Sequence, residues 1–489
     1  MKINEKPILI VGGGTAGWLS ALFAKKHYPD SPVVCVASEK IGILGAGEGT
    51  TPSFLTALRH LNICMKTFVE ECDVTVKTGI IFENWRGDQS SYTHSFYINS
   101  CSEKELPVGV RSSLLAEDDG YDRVTLGTRL NNTKRVPSIY DPEQEMAVHF
   151  NANKVAQYFK KVALNRGVEF IDDEVIDIEL GDNQAVEKVS LSSHDPIHPC
   201  FVFDCSGFAR LFIGKKYKTE WCDYTSELTT DSAIPFFVEH DNDVTPATRA
   251  IAMKHGWAWV IPVKDRYGCG YVFDSKKTSE KNVLTEIKEV FGVELKEHKK
   301  FNFKAGVFKE ILKNNVLAVG LSSGFIEPLE ATSLWVTTTA LQTFFDSDGI
   351  NNKSKFFADK FNDYIFNFNA EIKDFVWAHY VSDRNDTDFW KQFENLEQNK
   401  NVSGLRDSLN YNINGSYVNS KTDAFGSYSW SCVFSGLQQL DKKMLGIRAS
   451  GSERVKDECV SDLMRSQNKF IFDKTFSHKD FIELKHQNI

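Results

Sequence analysis

Positive charge is in deficit along this chain. Lysine and arginine total 57 against 66 aspartates and glutamates, a formal net charge of −9, so the basic footprint that nucleic-acid binding calls for is missing. Long apolar runs are missing too. No stretch reaches the roughly 20 residues of a membrane-spanning helix, and Met1-Lys2-Ile3-Asn4 leads almost directly into a strand without the pattern of a signal peptide. The ten cysteines are scattered, with no C-x-x-C pair. Neither a zinc site nor a redox dithiol is therefore indicated, no metal is expected, and reduced thiols in a cytoplasmic setting are the expectation. Internal repeats and low-complexity tracts are absent. What remains is an ordinary globular composition, 42% hydrophobic and 25% charged over 489 residues, enough for one large or two medium domains.

The most distinctive unit is the N-terminus. Pro7-Ile8-Leu9-Ile10-Val11 is a short apolar run suited to a buried parallel strand. It meets Gly12-Gly13-Gly14-Thr15-Ala16-Gly17, which satisfies G-x-G-x-x-G, and Trp18 to Ala24 continues as a helix. In this order Gly12 permits the tight turn, Gly14 lets a pyrophosphate approach the backbone, and Gly17 packs helix on strand. The order of strand, glycine turn and helix predicts dinucleotide binding. A second strand follows at Pro32–Val36, but the acid expected at its end for the ribose is displaced: Ala37 holds that place, with Ser38 and Glu39 just beyond. Glu39 reaching the ribose and Glu39 as a solvated loop carboxylate both stay open.

Three further segments combine unusual residue types. Gly256 to Pro262 reads W-x-W-x-I-P, and a period of two puts Trp257 and Trp259 on one face of a strand that Pro262 helps to end. Alone, such a pair is an ordinary bulky core strand. Lys77, in Val74 to Trp85, shares a strand face with Thr75 and Gly79; a generic strand lysine is a solvated cation. Glu330 is delivered by a proline-containing loop just before a helix that Thr332 or Ser333 is placed to cap, leaving its first amides for a small anion. The plain alternative is that Glu330 complements the helix dipole.

Elsewhere the pattern is interleaved. A helix is expected over Asn153–Asn165, a hairpin through Val175–Ile178 and Val189–Leu191, and apolar strands at Phe201–Asp204 and Val316–Val319. These strands rejoin the N-terminal sheet only if a cofactor fold is split along the chain. From Lys353 to Trp390 the pattern is helical; residues 394–424 read as an exposed loop, and the polar stretch 87–145 as a lid or insertion.

Taken together, G-G-G-T-A-G-W at 12–18, G-E-G-T-T-P at 47–52, K-T-G-I-I-F-E-N-W at 77–85, D-C-S-G-F at 204–208, W-A-W-V-I-P at 257–262, G-L-S-S-G-F-I-E-P-L-E-A-T-S-L at 320–334 and R-N-D-T-D-F-W at 384–390 resemble the flavin-dependent halogenases. This is the tryptophan-halogenase family of the flavin monooxygenase superfamily, in a variant type not tied to free tryptophan. The resemblance implies an α/β chain with a Rossmann-like FAD-binding fold, an additional mixed sheet and a largely helical substrate and C-terminal region. One compact unit of interleaved modules is expected: FAD-binding at 1–55, 150–215 and 310–345, sheet and substrate side at 60–149 and 216–309, and a mainly helical 346–489.

The same resemblance implies the chemistry. Reduced FAD, oxygen and halide (chloride, bromide or iodide) give hypohalous acid, which passes through a tunnel to Lys77 for electrophilic halogenation of an electron-rich arene. Lys77 matches the catalytic lysine, acting by hydrogen bonding or as a haloamine, and Glu330 the catalytic glutamate. The amides of Thr332 and Ser333 match the halide-binding positions. Gly12, Gly14, Thr15, Ala16, Gly17, Ser38, Glu39, Glu48, Gly49, Val175, Asp204 and Leu321 match FAD-binding positions, and 45–52 the strap loop between the flavin and substrate sites. Trp257, Trp259, Ile261 and Pro262 stand as the barrier between flavin and substrate. The implied partners are a small aromatic substrate and a separate reductase that supplies FADH2 by diffusion, with a homo-oligomer left open.

Departures from the family pattern bear on the substrate. Ala331-Thr332-Ser333 replaces Ser-Thr-Gly after the glutamate, and Gly49 replaces the usual strap-loop alanine. A small indole or phenol is favoured over tryptophan, with bromide or iodide serving as well as chloride. The rival readings are a single-component FAD aromatic hydroxylase, against which the lack of a second nucleotide fingerprint argues, and a non-catalytic flavin-binding protein.

Overall fold

Ile8–Val11, buried throughout, pairs in parallel with Val33–Ala37 on one side and Phe201–Asp204 on the other. Phe201–Asp204 in turn takes Val316–Ala318 as its parallel neighbour, and Val168–Asp172 joins the far side of Val33–Ala37. With the short antiparallel Leu312–Lys313 at the edge this makes a six-stranded sheet. The cofactor fold is thus split along the chain, as the apolar runs predict. Such strands lack alternation because helices cover both faces of a parallel sheet. Thr15–His27, Ala152–Asn165 and Ser333–Asp346 supply that cover. The computed structural model describes residues 5–41, 48–96, 101–141, 144, 146–394, 398–411, 422 and 424–483.

A second, seven-stranded mixed sheet runs in the order Phe301–Asn302, Ser232–Glu239, Arg266–Phe273, Gly256–Val263, Thr248–Met253, Gly79–Glu83 and Ser91–Ser95. Its only parallel pairing is Thr248–Met253 with Gly79–Glu83. Gly256–Val263 lies inside it. Trp257 and Trp259 face the core that holds Trp85, Phe375 and Trp390, while Ala258 and Val260 face the opposite core. Pro262 does not end this strand, which continues to Val263 in register with Arg266.

The two sheets meet through a small three-stranded one, Glu48–Gly49, Ala147–Phe150 and Thr75–Lys77. Here the expectation of a continuous strand from Thr75 to Gly79 is corrected. Lys77 ends one strand, Gly79 begins the next in the other sheet, and the chain turns at Thr78, whose N–H donates to the Pro246 carbonyl.

Other boundaries also shift. The helical stretch after Lys353 is Lys355–Tyr380 followed by the short Asp388–Lys391. Residues 394–424 are not simply a loop: Lys400–Tyr411 is a helix that buries Val402 and Leu409, while 395–397, 412–421 and 423 lie outside the described residues. Nor is 87–145 a polar lid. It holds the strand Ser91–Ser95 and the helices Val108–Ala116 and Leu126–Thr133, with Val110, Leu114, Leu126 and Leu130 buried. Polar composition misled because a helix needs only one apolar stripe to dock. No disulfide joins the described cysteines, and no described helix is long and apolar enough to cross a membrane.

Candidate active site

The three-stranded sheet brings the lysine and the strap segment together. Lys77 and Gly49 lie on strands flanking Ala147–Phe150, and the Lys77 ammonium reaches across to donate to the Thr50 carbonyl at 3.0 Å. Its Nζ sits 4.6 Å from the Phe96 ring centroid, a cation–π contact. The side chain has no solvent exposure. Burial penalises the charged form and lowers its pKa to about 7, with the negative Glu330 partly opposing the shift. A Cβ on residue 49 would stand 3.1 Å from that Nζ, so the glycine leaves the amine its place.

Glu330 ends the short 3-10 turn Pro328–Glu330 and is also fully buried. Its Oε2 lies 2.9 Å from His94 Nδ1 and its Oε1 2.8 Å from His379 Nε2, the second pair close but poorly aligned for a hydrogen bond. Burial alone would raise the carboxyl. The charge of His94 and the contacts with both histidines outweigh it and hold the group down at about 2. The nitrogens facing an ionised carboxylate carry the protons, so His379 Nδ1 is left to accept from the Tyr92 hydroxyl, 2.9 Å away. Phe82 stacks on His379 at 4.2 Å and fixes that ring. None of His94, His379 and Tyr92 carries a motif signal of its own; a buried glutamate's need for donors is the only clue, and it says nothing of where they lie in the chain.

Glu327, three residues earlier, is equally buried and shares nothing of this setting. Thr230 Oγ1 donates to it, and Tyr380 and the Trp257 indole lie beside it, but burial dominates and its pKa is raised. Two glutamates on one turn therefore stand in opposite environments.

The helix after Glu330 starts at Ser333. Thr332 occupies the N-cap position with no side-chain cap bond, so the cap expected of Thr332 or Ser333 is not made. Thr332 is buried and Ser333 exposed. The strain falls two residues earlier than the missing glycine suggests: Ala331 has φ 56°, a left-handed conformation that costs an L-residue roughly 1 kcal/mol.

The remaining expected residues divide. Gly12 has φ 121°, and a Cβ there would lie 2.1 Å from the Cys205 carbonyl; one on Gly17 would lie 1.9 Å from the Gly12 carbonyl. Gly14 has nothing within 4 Å of its missing Cβ, and the helix it precedes has neither a side-chain cap nor an acidic residue in its first turn. That open, uncapped N-terminus fits a pyrophosphate. Thr15 and Ala16 form its first turn, and Gly320, next to Leu321, packs against Ala16. Glu48 and Gly49 begin the strap strand, and Val175 opens the hairpin with Val186–Leu191.

Three of these side chains have partners within the protein. The Asp204 carboxylate is fully buried and accepts from the amides of Ser206, Phe212 and Ile213 and the Ser206 hydroxyl, so it pins the turn after its own strand. Glu39 points to Lys160 at 2.7 Å and is 64% exposed. Ser38 donates to Glu174. Trp257 and Trp259 meet edge to face at 6.2 Å, and Trp259 lies over Gly270, where a Cβ would fall 2.1 Å from its ring. Ile261 and Pro262 carry that strand toward its end, and the Pro262 carbonyl accepts from Thr75 Oγ1.

This is a flavin-binding architecture with a buried lysine and glutamate placed on the mixed-sheet side. The fold superposes on solved structures: a tryptophan 6-halogenase (SttH) from Streptomyces toxytricini has TM-score 0.89 at 23% identity, covering 98% of this chain and 100% of that one. BrvH, a flavin-dependent halogenase from Brevundimonas sp. BAL3, has TM-score 0.83 at 25% identity, covering 98% and 99%. In sequence, the tryptophan 7-halogenase RebH of Lentzea aerocolonigenes is 29% identical over 84% of this chain and 82% of its own length. The tryptophan halogenase family model matches residues 7–449, and the chain belongs to that family of flavin-dependent halogenases.

Proposed function

We propose that this halogenase works on a small electron-rich arene, an indole or phenol rather than free tryptophan, with Lys77 as the carrier of the halogen and Glu330 as the ring-proton acceptor. When bound, FADH2 delivered by a separate reductase supplies, with oxygen, the oxidation of halide to hypohalous acid. Hypohalous acid would otherwise attack the ten cysteines and six methionines of the chain without discrimination. A neutral Lys77 amine takes the halogen, releasing water and leaving an N-halo amine; the arene then displaces the nitrogen from halogen, Glu330 accepts the ring proton, and that proton returns to the departing nitrogen to restore the neutral amine. Capture makes the second step effectively unimolecular. The pair His94 and His379 keeps Glu330 ionised and ready to accept. Thr332 and Ser333 offer the halide their amides, and Trp257 with Trp259 keeps the arene away from the oxidising site.

The observation that carries this reading is that Lys77 and Glu330 are both without solvent exposure, the lysine donating to the Thr50 carbonyl and the glutamate set between His94 and His379. The substituted Ala331-Thr332-Ser333 sequence and the aromatic side chains of Phe96, Trp335, Phe375 and Phe425 around His94 support a flat arene. The test offers the purified protein FAD, an external reductase, NADH and each halide with a panel of indoles and phenols, read by mass spectrometry. Halogenated product should form and vanish in Lys77→Ala, with flavin binding intact. Unaided NADPH consumption with hydroxylated product would reject the reading.

A further inference from the structure

Away from that site, three helices that lead out of it converge at their far ends. Thr15–His27 begins at the glycine turn, Pro52–His60 follows the strap segment, and Ser333–Asp346 follows Glu330. His27, His60 and Asp346 are the last residues of the three, and one donor atom from each lies within 4.8 Å of the others. The two imidazoles meet through the same nitrogen, Nε2 to Nε2, at 3.4 Å. That is long for an N–H···N bond, whose usual range is about 2.7–3.2 Å. It equals the edge of a tetrahedron with metal–nitrogen bonds of about 2.0–2.1 Å, roughly 3.35 Å.

We propose that His27, His60 and Asp346 form a divalent transition-metal site, of zinc type, that clamps these three helices together. Imidazole with carboxylate is a donor set for zinc, cobalt and copper. Three helix C-termini, each carrying the negative end of its dipole, point their charge at the same place. The rings are held before any ion arrives: Phe23 stacks on His27 and His60, and Phe345 packs on His27 at 5.1 Å. Gln342 Nε2 donates to both Asp346 oxygens at 2.8 and 2.7 Å, an outer contact that orients the carboxylate and leaves further lone pairs for a metal. The two histidines are half-buried and Asp346 is exposed, so an ion can enter and a fourth ligand position faces water. The helices Thr15–His27 and Ser333–Asp346 have 13 and 14 residues, so the clamp lies about 20 Å behind the starts that would hold pyrophosphate and halide.

The test is Co2+ titration of the full, untagged chain after chelator treatment, followed in the visible spectrum and competed with Zn2+. One Co2+ per chain with the intense bands of four-coordinate geometry, displaced by Zn2+, is expected, along with a rise in the melting temperature. His60→Gln and His27→Gln should each weaken binding about 100-fold or more and remove the melting shift. His198→Gln, at a histidine elsewhere on the surface, should change neither. Asp346→Asn alters an exposed residue and keeps the test readable should a histidine variant fail to fold. Weak six-coordinate bands, or binding that survives His27→Gln, His60→Gln and Asp346→Asn unchanged, would overturn the proposal.

Discussion

Glu327 and Glu330 are both sealed from solvent, three residues apart, and their surroundings shift them in opposite directions. Burial raises Glu327, while His94 and His379 keep Glu330 at about 2. Pairs of titratable groups whose surroundings drive them apart mark acid and base assignments. Glu330→Gln should therefore lower arene halogenation by about 10²–10³-fold while hypohalite still forms and can be trapped by an added scavenger. Glu327→Gln keeps the side chain's shape at a site that burial already makes unfavourable for charge, and should cost only a few-fold. The reverse ranking in steady-state rates would remove Glu330 from its role.

The lysine makes a stability prediction whose sign is fixed. Folded Lys77 titrates near 7 against an ordinary value of 10.5, so between those values the unfolded chain binds a proton that the native chain does not. Stability from this group then rises with pH across that window. For Glu330, held at about 2 against 4.5, the contribution is complete above 4.5 and is lost as pH falls toward 2. Denaturant midpoints of wild type minus Lys77→Met should diverge in favour of wild type as pH rises from about 7 to about 10. A flat difference would contradict a buried, neutralised lysine. The halogen-transfer rate, if the amine is the nucleophile, rises through the same pH near 7.

The indole pair is open to a milder test than deletion. Trp257 is fully buried, so its alanine variant would lose about 3–5 kcal/mol of stability and confuse folding with chemistry. Trp257→Phe/Trp259→Phe keeps a ring at each place. The expected outcome is a higher ratio of FADH2 consumed to arene halogenated, with hydroxylated arene detectable. Unchanged coupling and full halogenation would end the barrier hypothesis.

Much of this chain was legible because local rules and tertiary needs agree. The strand, glycine turn and helix at 8–24 obey one backbone requirement: only glycine tolerates the Cβ clashes at Gly12 and Gly17. Lys77 and Glu330 stood out through motif resemblance. Gly49 was visible only as a departure; its contact with the Lys77 amine gives the departure a physical meaning. Asp204 and Glu39 show the limit. Both lie where cofactor contacts are expected, yet backbone amides take one carboxylate and Lys160 the other.

The sequence by itself determined the parallel strands of the N-terminal sheet and their split along the chain, because periodicity and glycine sterics act over a few residues, while Lys77 and Glu330 were singled out by motif resemblance. Tertiary structure alone decided what surrounds them. His94 and His379 reach Glu330 from positions 236 residues before and well after it, and His27 meets His60 across 33 residues. No spacing rule reports such meetings, since they follow from how sheets and helices pack. The cysteine pattern indicates no metal site, but it does not speak for histidines that only packing brings within 3.4 Å.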